Sequence, residues 1–202
     1  MMMSIKTSGA LLLTLAALAA SPALAHGFRE RGKPVHVAGD TITVTPASDW
    51  NQLSGKAGKP GKKAEVWTLD GEQLNEVTFY GGIAPGEPLI REHDKKGKPL
   101  PKFTRETLLV EIPELVETTY RTDRQLGSFT VTESKPERFL GTDGIRFTYA
   151  YVDDDNLPRK GEARAALIKG LLYMATFDAP RLHYFDKAAS SFRSLADSAK
   201  LR

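Results

Sequence analysis

Residues 144–177 read GIRFTYAYVDDDNLPRKGEARAALIKGLLYMATF, the most regular pattern in the chain. In Gly144–Val152, Ile145, Phe147, Tyr149 and Tyr151 alternate with Arg146, Thr148, Ala150 and Val152. A period of two predicts a strand with one aromatic face. Asp153-Asp154-Asp155-Asn156-Leu157-Pro158 is made of turn formers. Gly161–Lys169 and Leu171–Phe177 then flank Lys169-Gly170, which predicts a tight hairpin. Leu171, Tyr173, Ala175 and Phe177 share one face of the last strand, and Leu172 and Met174 share the other. Both faces are apolar, so the strand is expected at the centre of a sheet covered on both sides.

Downstream, Leu182, Phe185, Ala189, Phe192, Leu195 (or Ala196) and Ala199 recur at helical spacing. They predict a long C-terminal amphipathic helix packed on that sheet. Its aromatics, with Phe147, Tyr149, Tyr151, Tyr173 and Phe177, are expected to fill one core between sheet and helix. Upstream, Ser128–Glu133 alternates as a strand. Leu108, Leu109, Ile112, Leu115, Val116 and Tyr120 have helical spacing, with the helix surest from Pro113 to Arg121 because proline favours a first helical turn. Ala64–Leu69 and Leu74–Tyr80 read as strands around Asp70-Gly71, the second stopped by Gly81-Gly82. Val35–Val44 reads as a hairpin, or two short strands, around Gly39-Asp40 and ends at Pro46. The segments 54–63 (SGKAGKPGKK) and 91–102 are basic loops, the first a flexible linker in composition. The expected class is α+β, an antiparallel sheet flanked by helices.

The chain has 202 residues, 28 basic and 25 acidic, a net charge of +3 and no cysteine. With no cysteine there is no disulfide, no thiol nucleophile and no Cys-ligated metal. So small a net charge argues against a nucleic-acid partner. Lys6 precedes the apolar run Ala10–Ala20, followed by Ser21-Pro22 and Ala23-Leu24-Ala25. That is the pattern of a cleaved secretory signal peptide, with cleavage between Ala25 and His26. The run is shorter than the ~20 residues that cross a bilayer. Residues 1–25 are therefore expected to be a leader, residues 26–34 a loose N-terminal segment, and residues 35–202 a single domain in the periplasm, with full secretion as the alternative destination.

The order of landmarks carries a resemblance. A strand ending at Pro46 and Asp49-Trp50 comes first, then Trp67-Thr68-Leu69-Asp70-Gly71 and Pro113-Glu114-Leu115-Val116. Gly141-Thr142-Asp143-Gly144-Ile145-Arg146-Phe147, Lys169-Gly170-Leu171-Leu172-Tyr173 and Ser191-Phe192-Arg193-Ser194 follow. Residues 35–198 resemble exported bacterial proteins of the PsbP-like and Mog-like α/β/α group, which includes the DcrB-type envelope proteins. The resemblance rests on turns and core residues. It implies an antiparallel sheet between helices and a non-enzymatic accessory or binding role. Its members serve unlike partners, so no partner is implied.

The chemistry-bearing residues point the same way. His26 would be the new N-terminus and reads as an arbitrary first residue, since no other His lies at metal-motif spacing; the alternative is copper chelation through its amine and imidazole, completed by His36, His93 or His183. The cluster Asp153–Asn156 fails the calcium-loop pattern, with Leu157 at position five, Pro158 at six and Arg164 at twelve. There is no G-x-S-x-G; Ser190, Ser191 and Ser194 fall on the last helix near His183 and Asp186. Glu114, Glu117, Glu133 and Glu162 are carboxylates that would need spatial pairing to act together. Lys56, Lys59, Lys62 and Lys63, with Lys95, Lys96, Lys98 and Lys102, read as solvated loops; the alternative is a weak contact with anionic lipid or lipopolysaccharide at about 1 kcal/mol each. The sequence thus predicts a non-enzymatic exported accessory or binding module without cofactor, its partner an envelope or periplasmic protein. One alternative is a small-molecule or lipid carrier with a cavity lined by Tyr149, Tyr151, Tyr173 and Phe185. Another is an enzyme or a copper protein using His26.

Overall fold

The structure is a computed structural model and describes residues 27–202. The expected cleavage site, Ala25 and His26, lies outside the described residues. In chain order the elements are β1 (Gly27–Arg29), β2 (Val35–Val37), β3 (Ile42–Val44), β4 (Trp50–Gln52), α1 (Gly55–Gly58), β5 (Ala64–Thr68) and β6 (Glu76–Ile83). A 3₁₀ turn, Leu109–Glu111, leads into α2 (Ile112–Arg124). Then come β7 (Phe129–Pro136), β8 (Gly144–Val152), β9 (Pro158–Ile168), β10 (Leu171–Pro180), α3 (Tyr184–Asp197) and β11 (Lys200–Leu201).

Eight strands form one antiparallel sheet in the order β1-β4-β5-β6-β10-β9-β8-β7. A small second sheet runs β11-β3-β2. The hairpin at Lys169-Gly170 forms as expected. Both residues have positive φ, 52° and 74°, which suits the twist of a two-residue β-turn. It pairs Leu171 with Ile168 and carries the register through to Pro180 opposite Arg159. β10 lies between β6 and β9, covered on both faces. Tyr173, Ala175, Phe177 and Ala179 pack with α3 through Phe185, Ala188, Phe192 and Leu195. Leu172 and Met174 pack on the opposite side with Ile112, Leu115, Val116 and Tyr120 of the α2 segment.

That split corrects the single aromatic core. The side chains of Phe147, Tyr149 and Tyr151 belong to the α2 face, and those of Tyr173, Phe177, Phe185 and Phe192 to the α3 face. A cavity lined jointly by Tyr149, Tyr151, Tyr173 and Phe185 is excluded, because the sheet separates the first two from the last two. The carrier expectation loses its pocket with it. On the α2 face the aromatics are closely stacked. Phe129 lies 5.0 Å from Tyr149 and 5.9 Å from Tyr151, ring centre to ring centre. Tyr149 in turn lies flat over Gly161, where an added Cβ would sit 2.1 Å from the ring.

Other expectations shift locally. β6 does not stop at Gly81-Gly82 but runs through them to Ile83. Leu172 pairs with Ile83 and Met174 with Tyr80, so both glycines oppose Tyr173 in a bulge, with Gly82 at φ +71°. The β2–β3 hairpin presses onto this bulge. A Cβ on Gly81 would lie 2.0 Å from Thr41 Oγ1 and 2.3 Å from the Ala38 carbonyl oxygen. Gly27–Arg29, expected to be loose, pairs with β4 as an edge strand. Leu182 is 79% exposed and precedes α3, so the apolar stripe begins at Phe185. Segment 54–63 is folded rather than a free linker, containing α1 and the buried Gly58 and Gly61. No helix among the described residues is long and apolar enough to cross a membrane.

Candidate functional site

The two basic loops, separated by twenty-eight positions in sequence, meet in space. The Arg91 amide donates to the Pro60 carbonyl at 2.6 Å. The second loop is anchored from below by buried Leu89, Leu100 and Phe103. It is tied by Phe103 N to Glu87 O at 3.0 Å and Gly86 N to Phe103 O at 2.7 Å. Where the loops join lies a cavity of about 250 Å³, with Lys62, Lys63, Arg91 and Lys95 on its walls beside Ile83 and Ile90. A smaller hollow of about 100 Å³ shares Ile90 and Arg91 and adds Lys56, Lys59 and His93.

The cations here are of two kinds. Lys63 is committed: its Nζ donates to the Gly82 carbonyl at 2.9 Å and to Glu87 Oε2 at 2.7 Å. The lysine hydrogen bond, helped by the Ala84 amide, holds the Glu87 carboxyl below its ordinary value. Lys56, Lys59, Lys62, Arg91 and Lys95 are exposed and make no ion pair among the described residues. On the walls of the two hollows these cations, with Lys63, outnumber the carboxylates Glu87, Glu92 and Asp123, and such a surface draws anions.

The other end of β6 is built differently. Ile83 borders the basic cavity and Glu76 borders a second cavity, of about 400 Å³, roughly 23 Å away at strand rise. Beneath this second cavity Asp178, 2% exposed, accepts four hydrogen bonds from three side chains. Tyr151 Oη donates to it at 2.7 Å, Tyr120 Oη at 3.3 Å, and Arg159 through Nε and Nη2 at 3.3 and 3.2 Å. Arg124 stands 3.8 Å off, donates to Tyr151 Oη at 2.7 Å and lies over the Tyr120 ring at 4.2 Å. Burial first, and the Asp178 charge second, push the Tyr120 and Tyr151 hydroxyls far up, so both stay protonated donors. Burial and Asp178 likewise raise Glu76. This network fastens α2 to β8, β9 and β10. A second network fastens α3: fully buried Glu162 accepts from Arg193 at 2.7 Å and faces Arg146 at 3.8 Å. Arg164 links Glu137 to Asp197 in the same layer.

The remaining predicted residues are dispersed. His36 is exposed on β2, its Nδ1 2.9 Å from Thr43 Oγ1; His93 borders the smaller hollow; His183 precedes α3 and meets the Tyr184 ring. The copper expectation depends on His26, outside the described residues. Asp153 accepts from the Leu157 amide at 2.8 Å and faces Arg159 at 3.6 Å, so it serves the turn and the buried arginine. Ser191 meets Ser48 at 3.2 Å. Glu117 binds Arg121 at 2.7 Å, and Glu133 and Glu162 both face Arg146, so these carboxylates are held by arginines rather than paired with each other. Asp178 was missed from the sequence. Its signal was present: Thr176 and Asp178 continue the inward face begun by Leu172 and Met174.

With the geometry in place, similarity can be stated. No protein-family model and no curated protein sequence matches the chain. Among solved structures, the cyanobacterial PsbP protein (CyanoP) of Synechocystis sp. PCC 6803 superposes with a TM-score of 0.56 at 14% identity, over 84% of this chain and 92% of that one. A protein of Bacteroides thetaiotaomicron VPI-5482 gives 0.50 at 10% identity, over 86% of this chain and 49% of that one. The Ran-binding protein Mog1p of Saccharomyces cerevisiae gives 0.48 at 10% identity, over 84% and 94%. The chain has the PsbP-like fold, an α+β architecture with a large antiparallel sheet and a C-terminal helix.

Proposed function

We propose that the chain is an exported, non-enzymatic accessory module that docks on an anionic surface of the cell envelope through its basic loops. The observation that carries this reading is the convergence of segments 54–63 and 91–102 into one face whose cations, Lys63 apart, lack carboxylate partners at the cleft. The PsbP-like fold supports an accessory role, and the leader-like residues 1–25 support export. Each cation near an anionic leaflet contributes about 1 kcal/mol, so five together suffice for reversible attachment. Co-sedimentation with phosphatidylcholine vesicles, with and without phosphatidylglycerol, tests it. Binding is expected only with the anionic lipid, and it should fall steeply as salt rises. Equal behaviour with both vesicle types would defeat the reading.

A further inference from the structure

We propose that the two hollows flanking Arg91 seat the phosphate group of a membrane lipid headgroup, making the basic face a site rather than a diffuse charge. The inference rests on the docking function above and adds its ligand. The two hollows share Ile90 and Arg91, so Arg91 borders both lobes of one basic surface. Lys62 and Lys95 stand on one side and Lys56 and Lys59 on the other, all without ion pairs among the described residues. A guanidinium fork gives a phosphate two parallel hydrogen bonds, and flanking ammonium groups supply the remaining charge.

The Arg91 loop is held in place. Arg91 is fixed to Pro60 by its backbone amide, and Gly61 packs so closely beneath the loop that a Cβ would stand 3.1 Å from the Leu89 carbonyl oxygen. Lys63 answers Glu87 and so removes one carboxylate that would repel an anion. Glu92 is engaged by the Leu100 amide at 3.3 Å, and Asp123 of α2 is the one carboxylate on the smaller lobe, beside Lys56, Lys59 and Arg91. The larger lobe also has an apolar wall, Ile83, Pro88 and Ile90. A free phosphate ion makes no use of such a wall. A lipid headgroup presents its phosphate next to glycerol and acyl carbons, which the wall would cover. Lys96, Lys98, Lys102 and Arg105 lie exposed along the same loop and would face the neighbouring headgroups.

The test compares two charge-matched triple variants. One is Lys62→Glu/Arg91→Glu/Lys95→Glu in the cleft; the other is Arg31→Glu/Arg181→Glu/Lys200→Glu at exposed positions elsewhere. Circular dichroism checks that both fold. Binding is measured to phosphatidylcholine vesicles containing phosphatidic acid or phosphatidylglycerol, and inorganic phosphate is titrated against the Gly61 and Arg91 amides by NMR. The expected result is a loss of roughly a hundred-fold or more in the cleft variant, against about threefold or less in the other. Phosphate is expected to move both amides in the unmodified protein. An equal loss in both variants would overturn the seat while leaving the docking function standing. Phosphate shifts without binding to any vesicle would assign the seat to soluble phosphate and overturn the lipid and the docking together. Unmoved amides would also overturn the seat.

Discussion

The two ends of β6 handle charge in opposite ways. At the Glu76 end, Asp178, Arg159, Tyr151 and Tyr120 are buried and bonded to one another. At the Ile83 end, five cations stand in water without an ion pair among the described residues, although Glu92 and Asp123 share the walls of the two hollows. Burying a charge demands a partner, because the desolvation penalty is several kcal/mol per ion. Leaving one exposed demands none, so its attraction stays available to something outside the chain. The first end is thus expected to govern stability and the second to govern binding.

Four measurements test that division. The largest effect is expected from Asp178→Ala. It leaves Arg159, 6% exposed, without its main carboxylate and should lower unfolding stability by about 3–5 kcal/mol. Urea denaturation reads it, and a loss below about 1 kcal/mol would show that the network is dispensable. Next comes Gly81→Ala, between the two ends. Its new methyl would press on Thr41 and Ala38 and should cost about 1–3 kcal/mol by the same assay, with binding to anionic vesicles retained. Native-like stability in this variant would mean that the β2–β3 hairpin does not press on β6.

Glu76→Gln should act more gently and in a pH-dependent way. Burial and Asp178 raise the folded carboxyl above its ordinary value of 4.5. Between that value and the raised one, the folded chain binds more protons than the unfolded chain. The Glu76 contribution to stability is therefore full below the window and falls as pH rises through it. Removing the charge should stabilise the protein at about pH 8 and leave it little changed at about pH 4. Denaturation curves at both pH values decide it, and a variant weaker at pH 8 would reverse the assignment. The smallest effect on stability belongs to Lys62→Glu/Arg91→Glu/Lys95→Glu, expected within about 0.5 kcal/mol per residue of the unmodified protein. A larger loss would mean that these cations hold the fold as well.

Local pattern along the chain accounts for the regular half of the molecule. Alternation in Gly144–Val152, the Lys169-Gly170 turn and the helical stripe from Phe185 to Ala196 are local signals, and each produced the expected element. The double-sided apolar character of Leu171–Phe177 placed β10 in the interior, and the order of turns pointed to the fold. Gly81-Gly82 misled, because glycine marks a stop and a bulge equally well, and only the pairing with Tyr173 tells which. β1 and β11, of three and two residues, carry too little pattern to announce themselves.

Tertiary structure decided the rest. A period of two tells which residues share a face but not which helix covers it, so Tyr149 and Tyr173 seemed to line one space until the sheet came between them. Burial of Asp178 depends on arginines and tyrosines drawn from α2, β8 and β9, which no window of sequence holds together. The basic cleft arises likewise. Lys62 and Arg91 are far apart along the chain, and only a hydrogen bond from Arg91 to Pro60 and the buried anchors Leu89 and Phe103 bring two solvated loops into one charged surface.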